Sequence, residues 1–295
     1  MREIPEPALS ERTTLRLGGC AIAELILETP HDLDILPERL RCLGGSPLIM
    51  GAGSNILAQD GQLPLVLVRP RYTQGPEMTA EKNDKVFVRV GAGTPLARLL
   101  RFCLKNGFSG LEGLVGIPGS VGGCIAMNAG SYGTETATYI HHIQIISDNH
   151  IKTVSVADAR FGYRSFSIPG EKNNFIILEA TFVLTKSERN VIGKRMFHNF
   201  FEKKSKQPLS AWSAGCIFKN PDPQTPAGRL LEEAGFKGRS RGGMSFSPVH
   251  ANFLINEGSG SASAALDMID EARTAVLRRF GIELTPEVRI VPCRS

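Results

Sequence analysis

A chain of 295 residues, 42% hydrophobic and 21% charged, has ordinary globular composition and is long enough for two or three cores rather than one. Its net charge of +5 comes from scattered lysines and arginines with no aromatic interleaving, which excludes a nucleic-acid-binding module. No apolar run reaches the roughly 18 residues that read as a membrane span, and residues 1–10 carry acids and prolines rather than a basic-then-apolar leader.

Short apolar strands alternate with amphipathic helices from the start. Strands are expected at 23–27, 47–50 and 63–68, with a helix over 31–43 between the first two. A second unit opens with a strand at 85–90, where Val86, Val88 and Val90 share one face. Gly91-Ala92-Gly93-Thr94-Pro95 then starts a helix that runs to Asn106 and stops at Gly107. Strands at 142–146, 151–156 and 175–184 follow. A long helix over about 188–206 is expected to bury Val191, Ile192, Met196, Phe200 and Phe201 on one face, and Pro208 ends it. The remainder, with helices at 227–234 and 261–280 and strands at 251–256 and 287–291, reads as a separate α+β unit.

Between the second unit's helix and its next strand lies GLEGLVGIPGSVGGCIAMNAGSYG, with eight glycines in the 24 positions 110–133. Glycine in regular elements costs roughly 0.5–1 kcal/mol relative to alanine, so this density marks sharp turns or close approach of backbone to a ligand. The interleaved Leu111, Leu114, Val115, Ile117, Val121, Ile125 and Met127 do not suit a linker. Earlier, Gly51-Ala52-Gly53-Ser54-Asn55 follows a predicted strand. It is not a dinucleotide fingerprint, because Ile56 stands where the third glycine belongs and Asp60 comes too soon for the ribose-binding acid. Alone it is as much a tight turn as a phosphate loop. Paired with GIPGSVGG, it gives two small-residue loops able to surround one diphosphate. The six cysteines are dispersed without a CxxC pair, and no His and Cys set has metal-ligand spacing, so a reduced cytoplasmic protein without a metal is expected.

Several motifs in one order then converge: TTLRLGG at 13–19, GAGSN, GLEGLVGIPGSVGG, MNAGSYG, FGYRSF at 161–166, KQPL at 206–209, SAGCIFKNP at 213–221, HANFLIN at 250–256 and TPEVR at 285–289. Over nearly its whole length the chain resembles the UDP-N-acetylenolpyruvoylglucosamine reductases, flavoenzymes of bacterial wall synthesis. It resembles their shorter subclass, because no tyrosine after Tyr163 matches the one on the additional substrate-covering loop. The resemblance implies an α+β fold: a two-subdomain FAD-binding domain of the vanillyl-alcohol-oxidase type and a C-terminal α+β substrate-binding domain. The implied boundaries are 1–72, 73–187 and 188–295, with 285–295 packing back on the first. FAD is expected without a covalent bond, its diphosphate on Gly51, Ala52, Gly53, Ser54 and Asn55 and on Gly116, Ile117, Pro118, Gly119, Ser120, Gly122 and Gly123. NADPH is the implied co-substrate, and both organic substrates are small molecules.

The implied reaction reduces an enol ether bearing a carboxylate, with hydride passing from NADPH by way of FAD to the vinyl carbon. Negative charge then spreads onto the carboxylate, and a guanidinium fork that tightens as the charge grows answers that need. Arg164 matches the family's arginine, although an arginine without this motif reads as a surface ion pair. Glu287 matches the glutamate of PEVR, and beside an enolate it should be protonated or act through water. Where most relatives carry a serine as proton donor, this chain has Cys216. A thiol is the better acid, so the departure is mild, though a lone buried cysteine is more often apolar filling. Tyr163, Asn220 and Lys206 match substrate-contacting positions, with Lys206 open to reading as a solvated helix end. His250 and Asn252 suit structural hydrogen bonds at least as well. An FAD oxidase of the same broad fold and a non-catalytic flavin or UDP-sugar binder are the alternatives. The KNP, KQP and PEVR segments weigh against the first, and Arg164 with Glu287 against the second.

Overall fold

The computed structural model describes residues 1–148, 150–171 and 175–292, and its main strands fall into three sheets. Cys293 lies outside the described residues. In the first sheet the order is Arg2–Pro5, Cys20–Leu27, Gln62–Pro70 and Ser46–Ile49, parallel except at the Arg2–Pro5 edge. Gln62–Pro70 is its centre and is covered on both faces. That explains the unbroken LVLV run, because Leu65 and Leu67 enter one core and Val66 and Val68 another. Helix His31–Leu43 covers the second of these with Leu33 and Leu36.

The second sheet is antiparallel, in the order His150–Ser155, Ile140–Ser147, Ile176–Lys186, Lys85–Gly91 and Glu77–Lys82, with Phe108–Ser109 also paired to the long central strand. Val86, Val88 and Val90 point into its core, as their alternation predicts. Helix Leu96–Asn106 packs Leu96, Leu99, Leu100 and Cys103 there and ends where Gly107 turns left-handed at φ 74°. Edge strand Glu77–Lys82 is exposed along its whole length, so no apolar alternation announces it.

The third sheet runs Trp212–Cys216, Phe253–Asn256, Met244–Phe246 and Ser240–Arg241, backed by helices Ala227–Glu233 and Ala262–Phe280. Its core includes Leu15, Leu17 and Leu57 from the start of the chain. The chain then returns: Arg289–Val291 pairs in parallel with Ile56–Ala58.

One expectation fails. Helix Arg189–Lys206 does not bury the five apolar residues of its proposed face: Ile192 is buried and Met196 packs in part, but Val191, Phe200 and Phe201 are 36%, 40% and 60% exposed, while Lys203 is buried. The helix touches the second core through one narrow stripe, and Phe197 and Phe201 lie to one side of it, stacked on each other at 6.1 Å. Apolar spacing alone cannot say which side of such a helix meets the core.

Candidate active site

Residues of the first and third sheets, with loop and helix residues of the second unit, line one cleft of about 1100 Å³, just above the usual range for ligand pockets. Gly51, Ala52, Gly53, Ser54 and Asn55 line it together with Gly116, Ile117, Pro118, Gly119, Ser120 and Gly123. The two loops touch: Ser54 Oγ donates to the Pro118 carbonyl at 2.9 Å. A Cβ at Gly51 would stand 2.3 Å from Ser120 Oγ, and one at Gly53, whose φ is 67°, would stand 2.2 Å from the Arg12 carbonyl oxygen. Gly122 does a different job, since a Cβ there would press on Ala92 of the second unit at 3.0 Å. Within the described residues no hydrogen bond uses the amides of Ala52, Gly53, Ser54, Gly119 or Ser120. Free amides on two joined loops fit the diphosphate of a dinucleotide cofactor.

Arg164 also lines the cleft, set in the two-residue turn between strands Arg160–Gly162 and Ser165–Ser167. Its φ of 51° is left-handed, a conformation that costs a non-glycine residue about 1–3 kcal/mol and that surrounding structure must hold. Asn128 helps to hold it. Its side chain donates to the Gly162 carbonyl at 3.1 Å and accepts from the Ala137 amide at 3.1 Å, and its own φ is 39°. Arg164 Nε donates to Glu287 Oε1 at 2.7 Å and Nη1 to the Gly130 carbonyl at 3.2 Å. Among the described residues three of the five guanidinium N–H groups have no partner and could serve a ligand.

Glu287 is carried on a segment pinned from two sides: its amide donates to the Ile217 carbonyl at 2.7 Å, and Asn55 Nδ2 donates to its carbonyl at 3.1 Å. Burial raises its pKa, opposed by Arg164 and Lys219. Cys216 lines the same cleft, and burial, then the Glu287 charge, push its thiol up to about 12 against the pull of Arg164. The structure thus brings Arg164, Glu287 and Cys216 together across 123 positions of chain between the first two.

The remaining expected residues stand apart. Tyr163, half exposed, accepts a bond from the Asn220 amide at 3.4 Å, and Asn220 Oδ1 accepts from the Ala227 amide at 3.0 Å where helix Ala227–Glu233 begins. Neither lines the cleft. Lys206 points to solvent and pairs with Glu202 one helical turn back. Three residues earlier, Lys203 enters the cleft, buried, its Nζ donating to the Val115 carbonyl at 2.7 Å, and burial followed by the nearby Arg164 brings its pKa down to about 8. The KKSK cluster hid this residue, though Lys203 lies eleven positions, three turns, past Ile192 and so on the buried stripe. Asn252 brackets Phe218, accepting from its amide at 2.9 Å and donating to its carbonyl at 2.8 Å, and His250 accepts from the Asn252 amide at 3.2 Å, both outside the cleft. Among the described residues no His, Cys, Asp and Glu group is placed to hold a metal ion, and no helix is long and apolar enough to cross a membrane.

Residues 39–149 match the family model described as FAD binding domain, and residues 207–291 match the C-terminal domain of UDP-N-acetylenolpyruvoylglucosamine reductase. With the two loops and their free amides, the first match defines the class: an α+β flavoprotein, an FAD-dependent oxidoreductase. Along the chain the likeness is close. It is 47% identical to the UDP-N-acetylenolpyruvoylglucosamine reductase of Nitratidesulfovibrio vulgaris, covering 99% of both chains, and 46% identical to that of Oleidesulfovibrio alaskensis, covering 97% of both. The crystal structure of the enzyme from Thermus caldophilus superposes with a TM-score of 0.80 at 31% identity, over 99% of this chain and 98% of that one. The chain belongs to the UDP-N-acetylenolpyruvoylglucosamine reductase family.

Proposed function

We propose that the protein uses NADPH to reduce UDP-N-acetylglucosamine enolpyruvate to UDP-N-acetylmuramate in the cytoplasm, supplying a peptidoglycan precursor. The observation that carries this reading is the convergence of Arg164, Glu287 and Cys216 in one cleft with the two amide-bearing loops. Residues 51–55 and 116–120, with Ser54 joining them, would hold non-covalent FAD, which when bound supplies hydride to the vinyl carbon.

The chain's own residues do the rest. Arg164, already braced on Glu287 and Gly130, offers its free N–H groups to the substrate carboxylate and holds it more strongly as charge develops there. Glu287 fixes the guanidinium plane, and its ion pair with Arg164 offsets the repulsion of a carboxylate near developing negative charge. Cys216, whose thiol keeps its proton at neutral pH, delivers that proton to the adjacent carbon. Five free thiols among the described residues suit the reducing cytoplasm. The boundaries 1–72, 73–187 and 188–295 remain our division of the chain, assigned to the shorter subclass of the family.

An anaerobic experiment tests the reading. NADPH should bleach the flavin of the purified protein, and UDP-N-acetylglucosamine enolpyruvate should restore the oxidised spectrum before air is admitted. A spectrum restored only by oxygen would show an oxidase instead.

A further inference from the structure

Two residues in the cleft have no part in the steps above. Arg16 lies with its Cζ 4.2 Å from the centroid of the Trp212 ring, and both line the cleft. Among the described residues the Arg16 guanidinium has no carboxylate or hydrogen-bond partner, unlike Arg164 and Lys203, so this stacked cation is free for an anion. The pair is built rather than incidental. Arg16 has a left-handed φ of 54°, and the buried Asn256 carboxamide clamps that backbone by donating to the Leu15 and Arg16 carbonyls at 3.1 and 3.2 Å. Asn256 Oδ1 also accepts from the Gly258 amide at 2.9 Å, and a Cβ at Gly258 would reach the Trp212 ring at 3.9 Å.

Guanidinium covers one face of the indole, and Trp212 as a residue is still 37% exposed. Thr14 ties this corner to the phosphate loop and to the strand that bears Cys216, its amide donating to the Gly53 carbonyl at 3.2 Å and its Oγ1 to the Ser213 carbonyl at 2.6 Å. Trp212 and Cys216 are the two ends of one strand, at most about 13 Å apart at 3.3 Å per residue. That span suits a nucleotide joined through a diphosphate to the group that reacts.

We propose that Arg16 and Trp212 form a nucleotide subsite, with Trp212 stacking the base and Arg16 pairing a phosphate of an exchangeable substrate, a proposal that rests on the function above. Two ligands carry this chemistry, the adenosine 2′-phosphate end of NADPH and the UDP of the sugar substrate. A planar base stacks on an aromatic face whatever its identity, and a guanidinium discriminates by phosphate.

Trp212 is the chain's single tryptophan, so its emission reports this site alone. The FAD-loaded protein is titrated with adenosine 2′,5′-bisphosphate and with UDP, then assayed with NADPH, NADH and the enolpyruvyl substrate. Quenching by one probe is expected, and Arg16→Gln should weaken that probe by roughly 10–100-fold, the loss of a charged hydrogen bond. The matching KM should rise with kcat held, as for lost uniform binding. A response to the bisphosphate, with KM raised for NADPH and unchanged for NADH, assigns the subsite to the dinucleotide; a response to UDP assigns it to the sugar nucleotide. Trp212→Phe should keep most of the affinity and Trp212→Ala lose it. No quenching by either probe in a protein that turns over overturns the proposal. So does loss of FAD in the Arg16 variant, which would place the pair on the resident cofactor. A parent protein that fails to turn over refutes the function instead, leaving the quenching to be read separately.

Discussion

In the proposed mechanism Cys216 and Arg164 divide the work at the reacting carbon, and each has a substitution that isolates it. Lysine at 164 keeps the charge and loses the planar fork that serves Glu287 and Gly130 and still has N–H groups to offer a ligand. Arg164→Lys should therefore lower turnover by roughly 10²–10³ while FAD content holds, as for loss of a preorganised donor. Turnover within about threefold of the parent would remove Arg164 from that role. Cys216→Ala should leave flavin reduction by NADPH at the parental rate and slow reoxidation by the enolpyruvyl substrate by roughly 10²–10⁴. Cys216→Ser should recover much of that loss. Rapid mixing of the two half-reactions separates them, and an alanine variant that reoxidises normally would pass the donor role to water. Because the thiol sits near 12, the same residue should resist alkylation at pH 8 while exposed Cys42 reacts.

Elements differ in how plainly they speak in the sequence. Strands covered on one or both faces, such as Lys85–Gly91 and Gln62–Pro70, announce themselves by apolar alternation or an apolar run, and glycine marks the end of Leu96–Asn106. Glu77–Lys82 is silent, since an edge strand exposed throughout buries nothing that patterning can record. The motifs pointed to Arg164, Glu287 and Cys216, yet no local rule places Lys203 in the cleft and Lys206 outside it, because that choice depends on which way a helix faces a distant loop. Nor does spacing show that Asn128 holds the turn bearing Arg164. Asn128→Ala would strand the Gly162 carbonyl and Ala137 amide and force alanine to a left-handed φ. It should cut kcat by more than tenfold through misplacement of the fork, with FAD retained. Asn128→Gly should restore the backbone and not the activity, and full activity in both variants would free the turn from this support.

Taken as a whole, the molecule holds more protons at alkaline pH than its unfolded chain. Burial lifts Cys103 and Cys216 to about 12 and Cys124 to about 11, so all three stay protonated where unfolded thiols, near 8.5, have ionised. Their contribution is complete below the unfolded value and is lost as pH rises toward the folded ones. Lys203 has the opposite sign: held near 8, it has lost its proton where an unfolded lysine keeps it up to about 10.4, so it adds stability across that interval. Three thiols outweigh one amine, leaving about two protons and a slope of roughly 3 kcal/mol per pH unit between about pH 9 and 10, and above that Tyr72, which burial also raises, adds to the fall. The thermal midpoint should fall from pH 9 to 10.5 and fall less steeply in Cys103→Ala. A midpoint flat over that interval would mean that the buried thiols do not govern alkaline stability.

The pairing of Ile56–Ala58 with Arg289–Val291 also sets a timetable for synthesis. Asn55 and the Glu287 carbonyl it grips are 232 positions apart, which at about 5–20 residues per second is roughly ten to fifty seconds of translation. Until residues 214–288 are made Leu15, Leu17 and Leu57 lack their full core, and until Glu287 is made the loop at 51–55 lacks its brace. A chain that stops before Glu287 leaves the loop at 51–55 unbraced and Arg164 without its carboxylate partner. A product cut short of the 289–291 strand is therefore a client for chaperones rather than a weak enzyme.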